Sequence, residues 1–215
     1  RPRNTEEQTQ GFAIASEAVG ATELAFMDPR AGRWRPFAFD AVHAPTATQA
    51  EVFGNDLKSM SALVVDGYSS AIIAYGQTGS GKTHTMQGSG APDGIGVNQR
   101  MLESIFHLVN RRNSNPLSPS KYTVELSMIE IYNENIIDLL ALDYEKANND
   151  SKKMSSSGKD SLISGQRTKR SIKKRNTKLE VTMCSTDSGS RVVVRGLTSR
   201  LVGSPAEANE LFNQG

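Results

Sequence analysis

The chain has 215 residues, is 37% apolar and 22% charged, and carries a formal net charge of +2. That length holds one sizeable core and that composition suits a soluble globular protein, while no apolar run approaches the ~20 residues of a membrane-crossing helix. One cysteine, Cys184, excludes an internal disulfide and fits a reducing compartment; it reads as a small buried hydrophobe.

No signal peptide is recognisable and residue 1 is Arg, so the chain is expected to begin inside a longer one. Arg1-Pro2-Arg3-Asn4 opens it as a basic segment. Turns are marked by Gly20, Asp28-Pro29 and Gly32. Trp34, Phe37 and Phe39 predict a short strand that carries aromatics inward. A stacking platform for nucleic acid would need basic residues interleaved throughout, and Phe37 and Phe39 have none beside them, so core packing is the better reading. From Thr48 to Asp66 the pattern is helical. Thr48 and Glu51 form a capping box, Val52, Phe53, Leu57, Met60, Leu63 and Val64 recur on one face, and Gly67 is placed to end the helix. The helix is expected to cover the strand that follows.

That strand is Ala71-Ile72-Ile73-Ala74-Tyr75, a short apolar run that reads as buried. It leads into Gly76-Gln77-Thr78-Gly79-Ser80-Gly81-Lys82-Thr83, which fits G-x-x-x-x-G-K-[ST]. Glycines at 76, 79 and 81 let successive N–H groups curl around phosphate oxygens. The Lys82 ammonium would reach the β and γ phosphates, and the Thr83 hydroxyl would complete the shell of a Mg²⁺ ion that keeps several waters. His84-Thr85-Met86 extends one helical turn, giving the order strand, glycine loop, helix that the motif requires.

Gln87 to Gly96 is a loop. Asp93-Gly94-Ile95-Gly96 fits the D-x-x-G of a γ-phosphate sensor but follows Gly88-Ser89-Gly90-Ala91-Pro92 rather than an apolar strand, and is rejected. Asn98 is expected to cap a helix to about Arg112, with Met101, Leu102, Ile105, Phe106 and Val109 inward, His107 on the surface and Arg111 and Arg112 at the negative end. No second His or Cys stands at metal spacing from His107. After a turn at 113–120, Tyr122, Val124, Leu126 and Met128 alternate with polar residues as a half-buried strand. In Ile129 to Leu140, Glu130 and Glu134 read as polar positions beside packed Ile131, Ile136, Leu139 and Leu140 rather than as a general acid and base.

Tyr144 to Lys178 differs in kind. Eleven cations stand against three anions, a net of +8 that leaves −6 on the remainder, and large apolar residues are scarce; such a segment is expected to be disordered. Two strands, Leu179–Met183 and Arg191–Val194, are expected to join around Ser188-Gly189. Ser204, Pro205 and Glu207 start a final helix with Leu211 and Phe212 inward.

Ala74 to Met86, with the loop at its centre, resembles the phosphate loop of the kinesin motor domain. Glu130-Ile131-Tyr132-Asn133-Glu134-Asn135-Ile136-Ile137-Asp138-Leu139-Leu140 resembles a second stretch of that family, and Phe39-Asp40 and Val194-Arg195-Gly196-Leu197 fall where kinesins have similar pairs. The resemblance runs from Arg1 to Gly215 with an insert at 144–178. It implies an α/β phosphate-loop fold with a mixed, mostly parallel central sheet flanked by helices. It also implies ATP and Mg²⁺ as ligands, microtubules as partner and a cytoplasmic, cytoskeletal location, with nucleus or spindle as variants. By resemblance His84 and the Arg1-Pro2 corner flank the adenine, and the 129–140 block is mainly structural.

The Asn/Ser/Arg-rich and Asp-Leu-Ala-Gly-like switch segments that kinesins use for hydrolysis do not occur here; family order would place them beyond Gly215. No catalytic residue is therefore assigned. The chain is expected to be the N-terminal part of a motor domain, with turnover, direction and coiled-coil oligomerisation dependent on sequence outside it. The alternative is a nucleotide- or tubulin-binding module of the same fold without turnover. A phosphate-loop protein acting on nucleic acid, suggested by the basic insert, lacks an aromatic-basic platform.

Overall fold

The computed structural model describes residues 9, 16–91, 94–117, 119–141, 179–186 and 189–214. They fall into two units, residues 1–122 and 123–215. The insert expected at 144–178 and the rejected Asp93 lie outside the described residues, as do Arg1 and Pro2.

The first unit opens with a three-stranded antiparallel sheet, β1 (Ser16–Ala18), β2 (Glu23–Asp28) and β3 (Arg33–Ala38). Asp28 sets the second hairpin: its Oδ1 accepts from the N–H groups of Arg30 and Ala31, and its Oδ2 pairs with Arg35 at 2.6 Å. The aromatics do not point into a core. Trp34, Phe37 and Phe39 are all exposed, and Phe37 instead meets Phe26 edge-on at 5.5 Å, a diagonal contact across β2 and β3. Side chains alternate along a strand, so Trp34 falls on the opposite face from Phe37 and Phe39, and no single covered face could have taken all three rings.

The long helix begins as expected and then departs from a straight α-helix. Thr48 and Glu51 make both halves of the capping box. The helix runs as α1 (Gln49–Val52), a π-helical turn (Phe53–Leu57) and α2 (Lys58–Val65). Gln49, Phe53, Ser61 and Val65 are buried, whereas Leu63 and Val64, expected inward, are exposed. The buried positions thus fall on a spacing of four. In an uninterrupted α-helix residue 65 would lie about 160° around from residue 49. One extra residue taken up in the π turn cuts that to about 60° and keeps the buried column on one side. Gly67, at φ 99°, closes the helix with a Schellman pair, its N–H to Val64 O and the Tyr68 N–H to Leu63 O.

α2 packs on α4 (Val97–Asn113). Val97, Phe106 and Val109 are buried there, and Ser61 Oγ lies 2.7 Å from Ser104 Oγ. Gly96, not Asn98, is the N-cap. Arg112 ties the far end together: it bonds Val65 O, Asp66 and the Tyr122 hydroxyl and lies 5.5 Å over the Tyr122 ring. The bond to Asp66 foremost, then that to Tyr122, raises its already high pKa. His107 is exposed, as the pattern predicts.

Residues 71–75 form no regular strand. Their exposure alternates as in an extended chain, but Ile73 is 83% and Tyr75 98% exposed. A strand is defined by its hydrogen-bonded neighbours, and among the described residues none pairs with this run. For the same reason the mostly parallel arrangement expected of the central sheet is not seen among the described strands, whose recorded pairs are all antiparallel.

In the second unit β4 (Val124–Leu126) pairs with β9 (Arg200–Val202), and Ser199 Oγ donates to Glu125 at 2.8 Å. β5 (Ile129–Tyr132) and β6 (Asn135–Asp138) form a tight hairpin whose two turn residues, Asn133 and Glu134, both have positive φ, the signature of a type I′ turn. Ile136 and Leu139 are half-buried and Leu140 fully buried, but Ile131, expected to pack, is 68% exposed. β7 (Glu180–Thr186) and β8 (Gly189–Arg195) form the expected hairpin. Cys184, half-buried opposite Arg191, is less enclosed than its reading as a core residue required. α5 (Pro205–Gln214) starts with Glu207 N–H on Ser204 Oγ and the Glu207 carboxylate on Gly203 N–H. Its Ala208 is fully buried.

Candidate phosphate-loop site

The phosphate loop lies in the first unit and leads into α3 (Lys82–Met86). Gly79 and Gly81 have φ of 78° and 96°. Those angles suit glycine and turn consecutive N–H groups toward one side. Gly76 has φ 153°, which disfavours a side chain, and a Cβ there would come 2.5 Å from Ser80 Oγ, which would have to turn away. The Ser80 N–H is taken by Gln77 O, whereas the N–H groups of Gly79, Gly81, Lys82 and Thr83 have no acceptor among the described residues. Lys82 Nζ is bound at 2.8 Å to both Gly76 O and Gln77 O. The ammonium is thus held over the mouth of the loop by neutral carbonyls, weaker partners than phosphate oxygens. Cradle, cation and the Thr83 hydroxyl stand together in one short segment, and this donor set fits a Mg²⁺-bound phosphate chain.

Beside the loop opens a cavity of about 500 Å³, within the usual range for small-molecule sites. Gly79, Ser80, Gly81, His84 and Thr85 form one wall. The other comes from residues the sequence did not mark for a site: His43, Ala44, Pro45, Ala47, Gln49 and Val52. His43 Nε2 lies 2.5 Å from Asp56 Oδ2, which braces the 43–47 segment against the π turn. Gln49 reaches across to α3, where its Nε2 lies 3.1 Å from His84 Nδ1 and donates to His84 O at 2.5 Å. Of these residues only Val52 belongs to the helical periodicity, where it reads as an apolar packing position, and only the capping box one position before Gln49 marks this turn as fixed. Among the described residues no cluster of three His, Cys, Asp or Glu could hold a metal by side chains alone, so Thr83 remains the candidate metal contact. Arg1 and Pro2, assigned by resemblance to the adenine, are not placed here because they lie outside the described residues.

Comparison with known protein families matches the kinesin motor domain over residues 1–215. The chain belongs to the kinesin motor family. Among curated kinesins, KIN-14O of Arabidopsis thaliana is 48% identical over 112 residues, covering 50% of this chain and 9% of that protein. KIN-14E of Oryza sativa subsp. japonica is 38% identical over 143 residues, covering 66% of this chain and 12% of that one. The chain therefore spans about a tenth of the length of these relatives. A solved structure of a fast kinesin, described for its ATPase mechanism and interactions with microtubules, superposes with a TM-score of 0.75 at 28% identity, over all of this chain and 49% of that one. The kinesin motor fold read from the two sequence blocks is thus the fold of this chain.

Proposed function

We propose that this kinesin chain is the ATP-binding part of a microtubule motor, and that the complete protein couples ATP hydrolysis to microtubule binding and movement. The observation that supports this most is the loop of residues 76–83, where the N–H groups of Gly79, Gly81, Lys82 and Thr83 have no acceptor among the described residues and Lys82 is poised beside them. The N–H groups of Gly79, Gly81, Lys82 and Thr83 would bind the phosphate oxygens, and Lys82 would exchange its carbonyl partners for the β and γ phosphates. Thr83 would hold Mg²⁺, which when bound neutralises charge on the phosphate chain. His84 would flank the base in the cavity beside the loop.

The test is nucleotide binding by the full-length protein. Lys82→Ala is expected to abolish ATP binding, and Thr83→Ala to weaken mainly the Mg²⁺-dependent part, as measured by calorimetric titration with and without Mg²⁺. ATP affinity within a few-fold of normal in Lys82→Ala would overturn the assignment. Water positioning and γ-phosphate sensing have no counterpart in this sequence. Residues 1–215 expressed alone are accordingly expected to show little ATP turnover, and microtubule-stimulated turnover at motor-like rates would contradict that.

A further inference from the structure

Gln49 is a polar residue, 9% exposed, in the first turn of α1, and both of its observed contacts go to one residue thirty-five positions away. A buried amide at that position must satisfy its polar groups, and its NH₂ does so on His84. The backbone carbonyl of His84 can only accept, so the nitrogen side of the Gln49 amide must face it, which fixes the amide's orientation. The same NH₂ group then faces His84 Nδ1. An NH₂ group can only donate, so Nδ1 must carry the lone pair and the ring proton must sit on Nε2. Two bonds, one to the ring and one to the main chain of the same residue, also fix where the ring stands relative to α3.

From this geometry we infer that Gln49 is a positioning residue: it holds His84 as the neutral Nε2–H tautomer and sets its ring in the wall of the cavity beside the phosphate loop. The ligand concerned is the nucleobase end of a nucleotide whose phosphates occupy the loop, and in that respect the inference rests on the proposed function. The consequence is a ring presented in one plane and one protonation pattern, which reduces what must be ordered on binding. Gln49 also lines the cavity, but it touches no reacting group and both of its side-chain hydrogen bonds go to His84.

Two readouts in the full-length protein test this. Long-range ¹H–¹⁵N spectra of histidine-labelled protein report the tautomer of His84, identified by its loss in His84→Ala. The wild type is expected to show Nε2–H. Gln49→Met, close in shape, is expected to leave a mixture of tautomers. Gln49→Glu should drive the proton to Nδ1, because a carboxylate oxygen there can only accept, and that gain of signal requires a folded protein. The second readout is ADP affinity. Gln49→Met is expected to weaken it about three- to tenfold, the scale of one lost positioning hydrogen bond, and to have no further effect in a His84→Ala background. An Nδ1–H tautomer in the wild type, or an equal loss from Gln49→Met with and without His84, would overturn the inference. Should the protein bind no nucleotide at all, the proposed function fails, while the tautomer spectra still decide the role of Gln49.

Discussion

Among single residues, Asp138 shows how far a side chain's role can lie from its sequence reading. It sits in the second of the two blocks that resemble kinesins, where the paired glutamates at 130 and 134 draw the eye. Both of those are exposed, and the buried carboxylate is Asp138. Its Oδ1 accepts from the N–H groups of Leu140 and Ala141 at 3.0 and 3.1 Å, and its Oδ2 accepts from Thr198 N–H at 2.7 Å. One side chain thus closes the turn after β6 and pins the loop before β9, sixty residues on. Removing it orphans three donors at once. Asp138→Ala is expected to lose about 2–3 kcal/mol of unfolding free energy, and Asp138→Asn somewhat less, since an amide keeps one acceptor but turns a donor toward another. Urea unfolding of the full-length protein measures both, and a change under about 0.5 kcal/mol, the scale of a neutral surface substitution, would show that Asp138 does not hold these turns. The aspartate and its two local partners lie within three residues of one another in the sequence, but the third comes from the loop before β9, sixty residues on, which no local pattern contains.

Secondary-structure elements were legible where their signals are local. Thr48 with Glu51, and Ser204 with Pro205 and Glu207, mark helix starts that the structure reproduces, and the β7–β8 hairpin follows its alternation. What failed was set by tertiary contact. The π turn at Phe53–Leu57 moves the buried face off Leu63 and Val64 without changing a helical propensity, and Gly96 takes the cap from Asn98 by where the chain bends. The capping box carries a pH consequence. Hydrogen bonds from the Thr48 N–H first and its hydroxyl second hold the Glu51 carboxyl below its ordinary range. A carboxylate lowered on folding stabilises above its unfolded pKa, and that stability is lost as pH falls through the lowered value. Thermal unfolding is therefore expected to show an acid-side loss that Glu51→Gln, uncharged throughout, lacks. Identical pH dependence in the two proteins between neutral and acid conditions would rule this contribution out.

At the scale of the whole molecule, the phosphate loop and the family were legible because both rest on contiguous residues, while sheet order and the far wall of the cavity were not. Ile73 and Tyr75 read as buried from composition, yet burial depends on which strands lie alongside, and a local run does not contain that information. Charge, by contrast, is fully written in the sequence. The +8 carried by residues 144–178, against −6 on the rest, is a strong asymmetry for a chain of net +2. In kinesins the strands after the Ile131–Glu134 block belong to the microtubule side, and the tubulin surface is acidic. Attraction between the segment and that surface is expected to raise the encounter rate and the affinity of weakly bound states without a fixed interface. Seven serines, at 151, 155, 156, 157, 161, 164 and 171, offer a way to tune it, since each phosphate adds roughly −1.5 to −2. The sign and range of the effect follow from screening: the Debye length is about 10 Å at 0.1 M salt and about 3 Å at 1 M. Replacing residues 146–178 by a neutral Gly/Ser linker in the full-length protein should weaken microtubule affinity at low salt and leave it unchanged at high salt. Cosedimentation across a salt series measures this directly. Equal affinity at low salt would rule out the electrostatic role, and loss of nuclear entry with normal microtubule binding would instead assign Lys169-Arg170-Ser171-Ile172-Lys173-Lys174-Arg175 to import.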